Sequence, residues 1–120
     1  MKHILLMDDE TSIVQLLTRL LQRSDYKVTV ALDGKEGMEL YRNDPADLVI
    51  VDIFMPEMDG LEVTRQLKAE FPDVHLIAIS GAPKNLLHEA KELGANQILR
   101  KPFNLDVFLQ AIETELGLTD

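Results

Sequence analysis

Residues 47–60 read DLVIVDIFMPEMDG. The opening run, Asp47–Val51, is short, apolar and rich in β-branched side chains, which is the composition of a strand. Its apolar residues fall on both alternating positions, so both faces need cover, as inside a parallel sheet. A carboxylate, Asp52, follows at once. A loop holding Pro56 and Gly60 then leads into a helical pattern from about Leu61 to Glu70, which stops ahead of Pro72. A strand, an acidic loop and a helix in that order make one β-α unit.

The same unit recurs on either side. Further strands are expected at His3–Met7, Lys27–Ala31, His75–Ile79 and Gln97–Arg100. A helix follows the first strand, with Ile13, Leu16, Leu17, Leu20 and Leu21 as its core face. Others are expected over Gly34 to about Arg42, Lys84–Leu93 and Leu105–Leu116. Gly94 and Gly117 stop the last two, and Asn104 caps the start of the final one. The Asp33-Gly34 pair reads as the turn into the second helix, and Gly60 as the flexible entry to the third. Alternating β and α with short loops predicts an α/β fold, a five-stranded parallel sheet with helices on both faces. Residues 1–120 read as one domain, since no linker, repeat or low-complexity stretch interrupts the pattern.

In such sheets the functional groups gather where strands end at their carboxyl edge. Asp8-Asp9-Glu10 follows the first strand, Asp52 the third, Ser80-Gly81 the fourth and Lys101-Pro102 the fifth. If the first and third strands are neighbours, Asp8, Asp9 and Asp52 converge. Two unit charges about 4 Å apart repel by roughly 4 kcal/mol at an effective dielectric of about 20. A proton or a cation has to relieve that repulsion. Oxygen-only ligands favour Mg²⁺, Mn²⁺ or Ca²⁺ over zinc or copper. Lys101 adds a fixed positive charge and Ser80 a hydroxyl donor at the same rim. A carboxylate nucleophile with a hard cation, a lysine and a hydroxyl is a set that handles phosphoryl transfer.

The bulk properties narrow the alternatives. With no cysteine, disulfides and thiolate metal sites are excluded, and His3, His75 and His88 lack zinc-ligand spacing. A net charge of −9 argues against direct nucleic-acid or membrane binding, which needs basic patches. No apolar run reaches the roughly 20 residues of a membrane span, and the acidic Asp8-Asp9 rules out a signal peptide, so the expected location is cytoplasmic.

Taken together, Asp8-Asp9-Glu10, the segment from Asp52 to Gly60, Ser80-Gly81 and Lys101-Pro102-Phe103 resemble the CheY-like receiver domain of bacterial response regulators, over essentially the whole chain. The resemblance implies a flavodoxin-like sheet in the order 2-1-3-4-5, with the first and fifth helices on one face. It implies a phosphorylated aspartate switch of a two-component or phosphorelay system, not a turnover enzyme. Asp52 would accept the phosphoryl group from a sensor histidine kinase or a histidine phosphotransfer protein. Mg²⁺, with Mn²⁺ able to substitute, would be held by Asp9 directly, Asp8 largely through water, Asp52, and the main-chain carbonyl of Phe54. Lys101, preceding a cis proline bond, would contact the phosphoryl group, and Ser80 would swing towards it. The face of helix four, strand five and helix five would bind an output partner or a second copy.

Two positions depart from the family pattern. Ser80 stands where threonine is usual, and Ile98 where the second switch residue is often aromatic, so an aromatic rotamer readout is not expected and the output relies on loop and helix-four movement. Phe54 and Ala82 occupy positions that tune acyl-phosphate hydrolysis in this family. Neither side chain can hydrogen-bond a water, which predicts slow decay. A haloacid-dehalogenase-type phosphatase would need a second aspartate where Phe54 stands. A phosphorylation-independent docking module of the same fold remains the alternative. Whether an output domain follows residue 120 in a longer protein is left open.

Overall fold

The computed structural model describes residues 1–81 and 84–118. Strands β1 (His3–Met7), β2 (Lys27–Ala31), β3 (Leu48–Asp52), β4 (Leu76–Ser80) and β5 (Gln97–Arg100) alternate with helices α1 (Thr11–Arg23), α2 (Gly34–Asn43), α3 (Gly60–Glu70), α4 (Lys84–Glu92) and α5 (Leu105–Glu115). All strand pairs are parallel, in the order β2-β1-β3-β4-β5. The three inner strands are the ones that read as apolar on both faces, and β3 and β4 are buried along their whole length. The edge strands β2 and β5 are only partly covered.

Alternation along each strand divides the core into two layers. Ile4, Leu6, Ile50, Ile77 and Ile79 face α1 and α5, packing on Leu17, Leu21, Phe108 and Ile112. Leu5, Met7, Val49, Val51 and Ala78 face the other way, onto Met38, Tyr41, Val63, Leu67, Leu87 and Ala90 of α2, α3 and α4. Among the described residues no helix is long and apolar enough to cross a membrane.

Among the described residues, three helices start on a side-chain cap. Asn104 Oδ1 accepts the amide N–H of Asp106 at 2.7 Å, as its position before α5 predicts. Asp33 Oδ1 accepts from Glu36 N at 2.7 Å and Asp59 Oδ1 from Glu62 N at 2.9 Å. Each such cap is worth about 1 kcal/mol. Both acidic caps carry a glutamate three residues on, a legible helix-start signature.

Several expectations need correction. β3 and β4 each begin and end one residue later than their apolar runs. The ladder continues past the last apolar side chain because Ile53 N bonds Ile79 O at 3.1 Å and Lys101 N bonds Ser80 O at 2.8 Å. Asp52 and Ser80 are therefore terminal strand residues, held by sheet hydrogen bonds on either side. α2 runs one residue further than expected, and α4 and α5 stop one residue short. Leu16 is not core: α1 buries the face of Val14, Leu17 and Leu21, and Leu16 lies outside it at 50% exposure. His88 is exposed, as expected. The Lys101–Pro102 bond is cis. Ala82 and the terminal Thr119-Asp120 lie outside the described residues.

α1 closes through Tyr26 N to Leu21 O and Asp25 N to Gln22 O, each 3.1 Å, with Asp25 in the left-handed region at φ 66°. A side chain there costs roughly 1 kcal/mol that glycine avoids. Asp25→Gly is expected to raise stability by about 0.5–1 kcal/mol, read as a higher urea midpoint with unchanged slope.

Candidate functional site

β1 and β3 are neighbours, with Met7 opposite Val51, so the residues that follow these two positions emerge side by side at the carboxyl edge. Asp8 is completely buried and Asp52 is 7% exposed, while Asp9 is exposed at the rim. One carboxylate oxygen from each of Asp8, Asp9 and Asp52 lies within 4.8 Å of the others. β5 delivers Lys101 to the same point. Its ammonium donates to Asp8 Oδ2 at 3.0 Å and to Asp52 Oδ2 at 3.2 Å, with Glu10 Oε1 at 3.9 Å. The remaining carboxylate oxygens are met by main chain: Asp8 Oδ1 accepts Glu10 N at 3.0 Å, and Asp52 Oδ1 accepts Phe54 N at 3.4 Å.

The electrostatics follow from that packing. Burial, and then the charge of Asp8, push the Asp52 carboxyl up to about 6. The Lys101 ammonium and the Phe54 N–H offset only part of this. Burial alone would lower Lys101, but its bond to Asp8 and the charges of Asp52 and Asp8 raise it instead. Three carboxylates and one ammonium leave two net negative charges in the cluster. One divalent cation balances them, and an all-oxygen donor set suits a hard one. The residues present therefore fit Mg²⁺.

Ser80 is fully buried at the end of β4, opposite Arg100 of β5, and lines the same groove as Asp52 and Lys101. Ile98 lies elsewhere, part-buried against the layer that includes α4. The groove has a volume of about 810 Å³, and Leu16, Phe54, Phe103 and Leu105 form apolar parts of its wall. Phe54 and Phe103 belong to the site motifs, but Leu16 and Leu105 are not apparent from them. The signal for Leu16 was its place beside, not within, the buried stripe of α1.

Gly60 serves a different purpose from the one its position suggests. Its backbone is not in the left-handed region; a Cβ there would lie 2.3 Å from Asp52 O and 2.7 Å from Ile53 Cα. The Gly60 N–H bonds Ile53 O at 2.7 Å, pressing the start of α3 against the backbone that carries Asp52. Gly60→Ala is expected to destabilise by about 1–3 kcal/mol through this contact. It should also weaken divalent-cation binding, measured by calorimetric titration of the folded protein.

A family model, the response regulator receiver domain, matches residues 4–113. The chain is 40% identical over 106 residues to the alkaline phosphatase synthesis transcriptional regulatory protein PhoP of Bacillus subtilis, covering 86% of this chain and 43% of that protein. It is 34% identical over 118 residues to the response regulator MprA of Mycolicibacterium vanbaalenii, covering 98% of this chain and 51% of the other. The chain thus spans about half the length of the curated relatives it matches. Among solved structures, a receiver domain protein of Clostridium thermocellum superposes with a TM-score of 0.91 at 28% identity, covering 98% of this chain and 95% of that one. The response regulator TrrA of Thermotoga maritima, solved in complex with Mg²⁺–BeF, superposes at 0.89 with 31% identity, covering 97% of this chain and 100% of the other.

Proposed function

Because this chain belongs to the response regulator receiver domain family of two-component signalling, we propose that residues 1–120 act as one receiver domain whose Asp52 takes a phosphoryl group from a phosphohistidine. The donor would be a sensor histidine kinase or a histidine phosphotransfer protein, and the setting cytoplasmic. The observation that carries the proposal is the shared ammonium of Lys101, bonded at once to the buried Asp8 and to Asp52.

Asp8, Asp9, Asp52 and the Phe54 main-chain carbonyl would hold Mg²⁺, with Mn²⁺ able to substitute; the complex of TrrA with Mg²⁺–BeF supports this choice. When bound, the cation supplies neutralising charge for the carboxylates and for the oxygens of an incoming phosphoryl group. The chain's own residues do the rest. Asp52, relieved of repulsion, is the nucleophile. Lys101 turns from carboxylate oxygen to phosphoryl oxygen. The Ser80 hydroxyl donates to a second phosphoryl oxygen, drawing the end of β4 towards the site. Because Ser80 ends β4 and Lys101 directly follows β5, the strands that precede α4 and α5, their movement would alter the α4/β5/α5 face, where an output partner or a second copy would bind. Ile98, part-buried against the layer that includes α4, would repack as the second switch position without the rotation of an aromatic ring.

Incubation with acetyl phosphate and Mg²⁺ should add one phosphoryl mass, and Asp52→Ala should abolish the gain. Failure to gain mass from acetyl phosphate and from a panel of phosphorylated kinases would refute the proposal. The exposed, apolar Phe54 and the Ala82 side chain offer no hydrogen bond to an attacking water, so the acyl phosphate should outlast a seconds scale. Phe54→Asn should shorten its lifetime several-fold, followed by loss of the phosphoryl mass after donor removal.

A further inference from the structure

A second cleft, of about 380 Å³, lies at the amino-terminal edge of the sheet, where Asp47 leads into β3 and Val74 and His75 lead into β4. It is a strand's length, roughly 15 Å, from the Asp52 end. Its volume is that of a small-ligand site. Charge in it is unbalanced. Glu70 is answered by Arg42, which donates to its two carboxylate oxygens at 2.7 and 3.2 Å. The His75 ring is held by Glu115 Oε1 at 3.1 Å. Asp47 accepts the main-chain N–H of His3 at 2.7 Å, but among the described residues neither Asp47 nor the exposed Asp73 has a cationic partner. A separate polar group also lacks a partner. Tyr41 lines the cleft, is 5% exposed, and packs its ring edge-on to Phe71 at 4.9 Å. Among the described residues its hydroxyl has no hydrogen bond, although it is not sealed from solvent. Burial first, and then the charge of Asp47, raise its pKa, so the phenol is neutral and its oxygen can accept.

These groups select the ligand. Anions are repelled by the unpaired carboxylates. A metal ion lacks ligands here, since among the described residues three carboxylate or imidazole groups come within reach of one another only at Asp8, Asp9 and Asp52. What the cleft offers is a carboxylate on each of two loops, a phenol oxygen, and apolar lining from Ala46, Phe71 and Pro72. We infer that it binds a small aliphatic diamine. One ammonium donates to Asp47 and to the Tyr41 oxygen, the methylene chain lies on Phe71 and Pro72, and the second ammonium pairs with Asp73. This binding is independent of the role of Asp52.

The test is a titration of ¹⁵N-labelled protein with 1,4-diaminobutane, and with butylamine as the single-charge control at matched ionic strength. Excess Mg²⁺ competes for Asp8, Asp9 and Asp52, so that amine binding there does not enter. Saturable amide shifts centred on residues 46–47 and 70–75 are expected, with butylamine about fivefold weaker. Asp73→Asn, on an exposed loop, should weaken the diamine about fivefold. Tyr41→Phe, which keeps the ring and loses only the hydroxyl, should weaken it about two- to fivefold. Glu113→Gln removes the same charge from α5, away from the cleft, and should leave the affinity unchanged. Equal affinity for the two amines, shifts scattered over the acidic surface, or equal effects of Asp73→Asn and Glu113→Gln would overturn the inference and leave the reading of Asp52 untouched.

Discussion

Lys101→Met is expected to lower the metal-free stability by roughly 3–5 kcal/mol, a large share of what a domain of this size has. The side chain of Asp8 is fully enclosed and that of Asp52 is 10% exposed, so neither can turn to water when its ammonium partner goes. Methionine keeps much of the lysine stem's volume, which confines the change to the lost charge and its two hydrogen bonds. Urea unfolding in EDTA should show the loss, and saturating Mg²⁺ should recover more stability in the variant than in the wild type. Equal stability of the two proteins without metal would mean that Lys101 is not the counter-ion of the pair.

Asp52→Asn should act in the opposite direction and carry the pH dependence. Asp52 is raised from 3.8 to about 6 in the folded protein, by burial first and the Asp8 charge second. The folded state therefore holds this proton more tightly than the unfolded one. Its stabilisation is complete below pH 3.8 and is lost as pH rises through about 6. Metal-free protein should then gain about 1–2 kcal/mol from this group between pH 7.5 and pH 5. The wild-type-minus-Asn difference isolates that gain from other titrations. At pH 7.5 the Asn variant should be the more stable of the two, because it removes one charge from a crowded, buried site. Divalent-cation affinity of the wild type should fall below about pH 6, where the proton competes for Asp52. A difference that stays flat across this window would place the Asp52 charge in a far more solvated setting.

The β-α alternation and both faces of the inner strands were legible locally, because burial from two sides leaves no polar position in a short run such as the LVIV of residues 48–51. Asn104 as a cap was legible for the same reason, since a cap is a contact within one turn. The gathering of Asp8, Asp9, Asp52 and Lys101 was partly legible: each ends a strand, but their meeting depends on β1 lying beside β3 and on β5 closing over β4. The strand order came from family likeness. A run of apolar residues does not say which strand will be its neighbour.

What the amino-acid sequence determined by itself is local: the number and kind of elements, the turns and caps, and the carboxylates, hydroxyl and lysine placed at strand ends. What only the tertiary structure decided is everything set by approach across the fold. Gly60 is there because the Asp52 main chain passes within 2.3 Å of where a Cβ would be. Leu16 belongs to the groove because Leu17 and Leu21 take the face of α1 that packs into the core, leaving Leu16 at its margin. Asp52 is pushed up to about 6 first by its own burial and then by the charge of Asp8, which lies 44 positions away in the chain and is buried beside it. Short-range preferences act over a few residues, whereas crowding, burial and charge repulsion depend on which distant segments finally share a place.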